Sequence, residues 1–290
     1  MAPDTTPSMD DSHDNDTDLA TSLFDDPEDY YPPSPPPTTQ SYTTLAGVPI
    51  ALHLVGHSPL EAHHLWNGSR VVASHFETNP SLVANRAVLE LGAGAGLPSL
   101  IAASLGARKV VVTDFPDPDL VANMWRNVDE CSLIPKDGRI VAEGYVWGMD
   151  PKKCLGYLGE GERFDVLVLA DLLFRHSEHG RLLDSIEMMM ERKQGVALVV
   201  FTSYRPWLQH KDLKFFDLAR ERGFVVTKIL EKKMDRPLFE KDPGDEEVLK
   251  TVTGWEVRWP REGEVVEVKK EKTDGENGGE NGGENGGKKG

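Results

Sequence analysis

Apolar positions along the chain fall into short unbroken runs that alternate with stretches where they recur at helical spacing. The sharpest run, Ala87-Val88-Leu89-Glu90-Leu91, breaks at once into Gly92-Ala93-Gly94-Ala95-Gly96 and reopens as Leu97-Pro98-Ser99. β-Branched and leucine side chains without alternation suit a strand covered on both faces. Alternating glycines let the backbone turn tightly and approach a ligand where a Cβ would collide. Pro98 suits a first helical turn, because it has no N–H to leave unpaired. The stretch therefore reads as a strand, a nucleotide-type loop and a helix start.

The remaining pattern extends this unit in both directions. Tyr42 to Leu54 alternates around Gly47-Val48-Pro49 and predicts a hairpin. His57 to Ala73 reads as a loop leading into a helix that carries Leu65, Trp66 and Val72. Leu97 to Leu105 is a short helix stopped at Gly106, and Lys109 to Asp114 is the second strand, so the unit forces a parallel pair with a right-handed crossover. Asp117-Pro118 opens a helix to about Asn127, with a capping carboxylate and a proline in its first turn. Arg139 to Ala142 is a third strand running into Tyr145-Val146-Trp147-Gly148, and Phe164 to Asp171 is a fourth with its polar residue at the C-terminal end. Ser177 is placed to cap a helix carrying Leu182, Ile186 and Met189. Val196 to Thr202, a helix with Phe215 and Phe216 ending at Gly223, and late strands at Phe224–Leu230 and Gly254–Trp259 complete the chain. A polar loop separates those late strands. Strand and helix alternate throughout, which predicts an α/β fold with a mainly parallel sheet.

Composition sets the limits of that fold. Residues 1–40 combine acidic side chains with prolines, and residues 261–290 end in repeats of Gly-Glu-Asn-Gly, so both read as disordered tails around one domain at 41–260. A net charge of −16 with no basic stripe argues against direct nucleic-acid binding and favours a basic protein partner. Cys131 and Cys154 give neither a disulfide framework nor a metal spacing and read as packing thiols. No basic-plus-apolar leader and no bilayer-length apolar run are present, so a cytoplasmic location away from membranes is expected. His57, His63 and His64 fit no familiar zinc spacing. Adjacent histidines point to different faces of a helix and no fourth ligand follows nearby, so they read as loop and surface residues and no metal is expected.

The glycine spacing discriminates among ligands. No Gly-Lys-Ser/Thr follows, which excludes a phosphate-binding P-loop. A dinucleotide fingerprint wants its third glycine where Leu97 stands, whereas the glycines here alternate, as around S-adenosylmethionine. Asp114 ends the second strand about 20 residues beyond the glycines, where a carboxylate accepts both ribose hydroxyls. Trp147 and Ala170-Asp171 fall at the ends of strands three and four. Trp147 is positioned to cover an adenine face and Trp66 to close the other side, or either fills the core. Asp171 either orients an acceptor amine and takes its proton through water, or only orders its loop.

At these residues the chain resembles the seven-strand methyltransferases that modify lysines and amino termini of proteins. The likeness is carried by His64-Leu65-Trp66-Asn67, Leu89 to Pro98, Val112-Thr113-Asp114-Phe115-Pro116-Asp117, Val146-Trp147-Gly148, Ala170-Asp171-Leu172-Leu173-Phe174, His176 to His179 and Tyr204-Arg205-Pro206, and it spans roughly residues 40–260. The resemblance implies a class I methyltransferase fold, a Rossmann-like seven-stranded, mostly parallel sheet with one antiparallel strand and helices on both faces. It implies S-adenosylmethionine as cofactor, held at Trp66, Gly92, Ala93, Gly94, Asp114, Trp147 and Ala170, and a protein amine as acceptor. Within the family the chain is most similar to fungal members acting on translation elongation factor 1-alpha, which implies that factor as partner of a monomeric enzyme. Phe174 stands where many relatives have a tyrosine. A methyltransferase of another protein lysine or of a small molecule, a non-catalytic cofactor-binding scaffold and a dinucleotide oxidoreductase are the alternatives to this reading.

Overall fold

The computed structural model describes residues 35–264. The expectations for the two tails fall almost entirely outside the described residues. A hairpin comes first, as the alternation around Gly47 predicts: β1 (Thr38–Thr43) and β2 (Pro49–Leu54) pair antiparallel. β1 starts at Thr38, inside the segment assigned to the N-terminal tail. Ile50, Leu52 and Leu54 turn inward while Pro49 and Ala51 stay exposed, the period of a ribbon covered on one side.

Seven further strands form one sheet: β3 (Ala87–Leu91), β4 (Lys109–Asp114), β5 (Ile140–Gly144), β6 (Val166–Ala170), β7 (Val196–Phe201), β8 (Val225–Lys233) and β9 (Thr251–Arg258). Their order is β5-β4-β3-β6-β7-β9-β8. The pairs β5–β4, β4–β3, β3–β6 and β6–β7 are parallel, and β9 runs antiparallel to both of its neighbours. This is the seven-stranded sheet with a single antiparallel strand that the resemblance implied. β3, β6 and most of β7 are buried along their whole length, which is why their sequences are continuously apolar instead of alternating.

Alternate strand residues feed two cores. Val88, Val110, Val166 and Val168 face α1 (Asn67–Thr78), α2 (Leu97–Ser104) and α3 (Pro118–Glu130), with Phe76, Ile101 and Met124 among the residues that meet them. A short α4 (Lys152–Leu155) follows β5. On the opposite face Leu89, Leu91, Leu167 and Leu169 share a core with α5 (His179–Met189) and α6 (Gln209–Glu221) through Leu182, Ile186, Phe215 and Phe216. Both cysteines are free and buried, as packing thiols would be. Among the described residues no helix is long and apolar enough to cross a membrane.

Helix starts are where the chain departs from its local pattern. Asp117 caps α3 as expected, accepting the N–H groups of Asp119 at 2.9 Å and Leu120 at 3.2 Å. Ser177 does not cap α5: its hydroxyl donates to Glu178, residues His176–Glu178 form a 3-10 turn, and the helix begins at His179. α1 begins at Asn67, so Leu65 and Trp66 precede the helix. The polar loop between β8 and β9 contains a further helix, α7 (Glu246–Lys250), capped by the Asp245 carboxylate.

Asn127 on α3 ties the hairpin to the glycine loop. Its Oδ1 accepts the His53 N–H at 2.8 Å while its Nδ2 donates to the carbonyls of His53 at 2.9 Å and Ala95 at 3.0 Å. The residue is fully enclosed, so removing the amide leaves the His53 N–H and the Ala95 carbonyl without this partner, while the His53 carbonyl keeps Asn123 Nδ2 at 2.8 Å. Asn127→Ala is expected to cost about 2–3 kcal/mol, a fall of roughly 5–10 °C in the melting temperature by differential scanning calorimetry.

Candidate active site

The site grows from the way β3 ends. Gly92, Gly94 and Gly96 all take left-handed backbone conformations, with φ of 59°, 55° and 75°. An L side chain there costs about 1–2 kcal/mol per residue, so the alternation of glycines in the sequence records alternating left-handed positions. Gly92 is also pressed from outside, since a Cβ would lie 2.6 Å from Leu172 and 3.0 Å from the Trp147 ring. The loop is then bonded to β4: the Ala93 N–H donates to the Thr113 carbonyl at 2.9 Å and the Gly94 N–H to Asp114 Oδ2 at 2.7 Å.

Strand order puts this loop at a crevice. β3 has β4 on one side and β6 on the other, so the chain leaves β3 in one direction and returns on the opposite side, the switch point where open parallel sheets bind ligands. A cavity of about 260 Å³ opens there, lined by Gly92, Ala93, Gly94, Asp114, Trp147, Ala170 and Asp171 with Trp66 from the pre-helix segment. It has room for a small cofactor and an entering side chain rather than a folded peptide. Every residue expected at the site is brought to this one cavity.

Three buried carboxylates surround it, each held by backbone donors. Asp114 accepts the N–H groups of Gly94 and Phe115, both at 2.7 Å, and burial raises its pKa against those bonds. Glu90, on β3, accepts the Ser99 N–H at 2.9 Å and the Ser99 hydroxyl at 2.5 Å, and complete burial pushes its carboxyl up to about 8. Asp171 accepts the N–H groups of Gly68 and of Thr202, the latter at 2.9 Å, and complete burial pushes it up to about 7. Its backbone is left-handed at φ 54°. Gly68 has to be glycine, since a Cβ would collide with the Asp171 carboxylate.

That contact explains where α1 starts. Asp171 takes the Gly68 N–H, so Trp66 stays outside the helix and stacks on Phe174, with centroids 5.6 Å apart and planes 22° apart. Tyr204 meets Trp66 edge-on at 4.9 Å, and Phe239, from the loop after β8, touches both. An aromatic wall thus stands beside Asp171. Sequence reasoning gave no site role to Glu90, Phe174 or Arg175, all of which line the cavity. Glu90 had a usable signal, a single acid inside an apolar strand. Arg175 had none, because its reach to the Pro59 carbonyl at 3.1 Å spans distant chain.

The histidines correct another expectation. Residues 57–66 are turns and bends instead of helix, so His63 and His64 do not point to different faces. Their rings lie side by side at 4.0 Å, next to Glu61.

Comparison with known proteins bears on this geometry. A family model described as lysine methyltransferase matches residues 57–222, which carry the whole glycine loop, Asp114, Trp147 and Asp171. The chain belongs to this family. It is 63% identical over 251 residues to a protein N-terminal and lysine N-methyltransferase of Neurospora crassa, covering 83% of this chain and 89% of that one. It is 57% identical over 251 residues to the protein of the same name in Gibberella zeae, covering 83% and 95%. A solved structure from Streptococcus mutans, described as a SAM-dependent methyltransferase, matches in fold with a TM-score of 0.50 at 13% identity, over 78% of this chain and 56% of that one. The protein is a methyltransferase with a protein substrate, and S-adenosylmethionine is the cofactor of its class.

The residues present fit that cofactor. A carboxylate has about four lone-pair sites, and Asp114 uses one on Gly94 and one on Phe115, which leaves two for a pair of ribose hydroxyls. The left-handed glycines supply a cradle that side chains at Gly92 would fill.

Raised carboxyl pKa values carry a consequence for stability. The unfolded state releases the Glu90 and Asp171 protons near pH 4, whereas the folded state holds them to about 8 and about 7. Their contribution is therefore complete at acid pH and is lost as pH rises through those values. The ligand-free protein should lose melting temperature from about pH 5 to pH 8 and level off above that. Glu90→Gln, which keeps both Ser99 contacts without a charge, should flatten that slope by up to about 1.4 kcal/mol per pH unit in calorimetric scans.

Proposed function

We propose that this methyltransferase modifies the amino terminus and a nearby lysine of translation elongation factor 1-alpha. The observation that carries methyl transfer at this site is the cavity in which the Asp114-anchored glycine loop meets the aromatic wall at Asp171, and the choice of acceptor rests on the resemblance to the fungal enzymes. The Neurospora and Gibberella relatives, named protein N-terminal and lysine N-methyltransferases, support a protein amine, and a net charge of −16 suits a basic acceptor. When bound, S-adenosylmethionine supplies a methyl group activated by its positive sulfur.

The chain's own residues do the rest. Asp114 would accept the ribose hydroxyls, and Gly92, Ala93, Gly94, Trp147 and Ala170, which line the same cavity, would hold the rest of the cofactor. Trp66 and Phe174 line the acceptor end and keep water from the amine. The amine has to arrive neutral. An α-amine titrates near 7.7–8.0 and lysine near 10.4, so an amino terminus is almost ready while lysine depends on the desolvating wall. Asp171 faces the same cavity with two carboxylate lone-pair sites beyond its backbone bonds, and it orients the amine and receives its proton through water.

Purified protein incubated with isotope-labelled cofactor and elongation factor 1-alpha should label the factor's amino-terminal peptide and a lysine peptide, read by mass spectrometry. Label on neither would remove the substrate assignment. Asp171→Asn places an amide donor against Gly68 or Thr202 and weakens proton removal. Transfer should fall by at least about 100-fold with a steeper dependence on rising pH. Unchanged transfer at every pH would end its catalytic assignment. Gly94→Arg should abolish cofactor binding while lowering the melting temperature by only a few degrees.

A further inference from the structure

Residues 57–66 cross the mouth of the cavity as an irregular segment, and three donor groups on it converge. Glu61, His63 and His64 each bring one ligand atom to a common point, all within 4.8 Å of one another. The Nε2 atoms of His63 and His64 lie 3.9 Å and 3.8 Å from the same Glu61 oxygen, beyond hydrogen-bond range, so the three face each other across a gap. Little else holds the rings. The Ser58 N–H reaches His63 Nδ1 at a long 3.4 Å, and among the described residues no hydrogen bond fixes His64. Glu61 takes a left-handed conformation at φ 63°, a strained choice for a non-glycine residue that turns its carboxylate toward the two rings.

We propose that Glu61, His63 and His64 form a binding site for a divalent transition-metal ion, Zn²⁺ by its donor chemistry, that braces this segment over the cavity. Two imidazoles and one carboxylate suit a borderline ion, whereas Ca²⁺ and Mg²⁺ call for oxygen donors throughout. Zinc bonds of about 2.0–2.2 Å place tetrahedral ligands roughly 3.3–3.5 Å apart, so the two Glu61 gaps of 3.9 Å and 3.8 Å close by about half an ångström each, and a pair as far apart as 4.8 Å by about 1.4 Å, in partly exposed side chains. Water fills the fourth position, or His57, whose ring centre is 5.6 Å from that of His63.

The location gives the ion a consequence. The Glu61 carbonyl accepts the Trp66 indole N–H at 3.1 Å, and Glu61 and His64 both line the cavity. The Ala62 carbonyl sits 3.7 Å from where a Gly94 Cβ would stand. Drawing the three ligands together therefore stiffens the wall that carries Trp66 and the strip lying over the glycine loop.

The test is calorimetric titration of Zn²⁺ into metal-stripped full-length protein, beside His63→Ala and Glu61→Gln, with Co²⁺ absorption as a report of tetrahedral ligation. The His63 side chain is partly exposed and takes one long hydrogen bond, so His63→Ala should nearly keep its metal-free melting temperature. The wild type should bind one Zn²⁺ and show the visible Co²⁺ bands. Both variants should bind at least about tenfold more weakly, and Zn²⁺ should slow amide exchange across residues 57–66 in the wild type alone. A wild type that takes up no Zn²⁺, or shows only the octahedral Co²⁺ spectrum, overturns the proposal whatever the variants do. Undiminished binding in folded variants overturns it equally.

Discussion

The bond from the Gly94 N–H to the Asp114 carboxylate is the constraint on which the rest of the site depends. It crosses from the loop after β3 to the end of β4, and it forms because Gly94 adopts a left-handed conformation that a larger residue would resist. With the loop fixed to β4, the glycines lie open toward the crevice that strand order creates between β3, β4 and β6. The same carboxylate keeps lone pairs for a ligand. One side chain thus shapes the cradle and presents its polar contact.

Asp171 ties together its end of the cavity as Asp114 ties down the glycine loop. Its two backbone partners belong to Gly68 at the start of α1 and Thr202 just beyond β7, so three separate pieces of chain meet at one buried acid. Trp66 and Phe174 are set by that junction, because each lies within three residues of one of its members. Glu90 completes the series by holding Ser99 in the first turn of α2. All three acids are buried against their own solvation, and folding stability at alkaline pH bears the cost.

Much of this was legible in the sequence for physical reasons. Strands buried on both faces must be continuously apolar, so β3, β4, β6 and β7 announced themselves, and the glycine loop was readable because left-handed backbone selects glycine. Asp117 was readable because its partners are two and three residues away. What escaped depended on distant chain. α1 starts at Asn67 because a carboxylate over a hundred residues later captures Gly68. Ser177 fails as a cap, and beside it His176 is bonded to Asp212 on α6 at 2.7 Å. His63 and His64 converge because their segment is irregular, which no helical wheel could anticipate. The acceptor left no pattern of its own, and it enters through resemblance alone.

The most direct test of this account is calorimetric binding of S-adenosylmethionine to the wild-type protein and to Asp114→Ala. The wild type should bind one cofactor. Asp114→Ala, which loses the tether to Gly94 and the proposed ribose contacts, should bind at least about 100-fold more weakly while remaining folded. Equal affinity in the two proteins would contradict the central role given to Asp114 and its bond to the glycine loop.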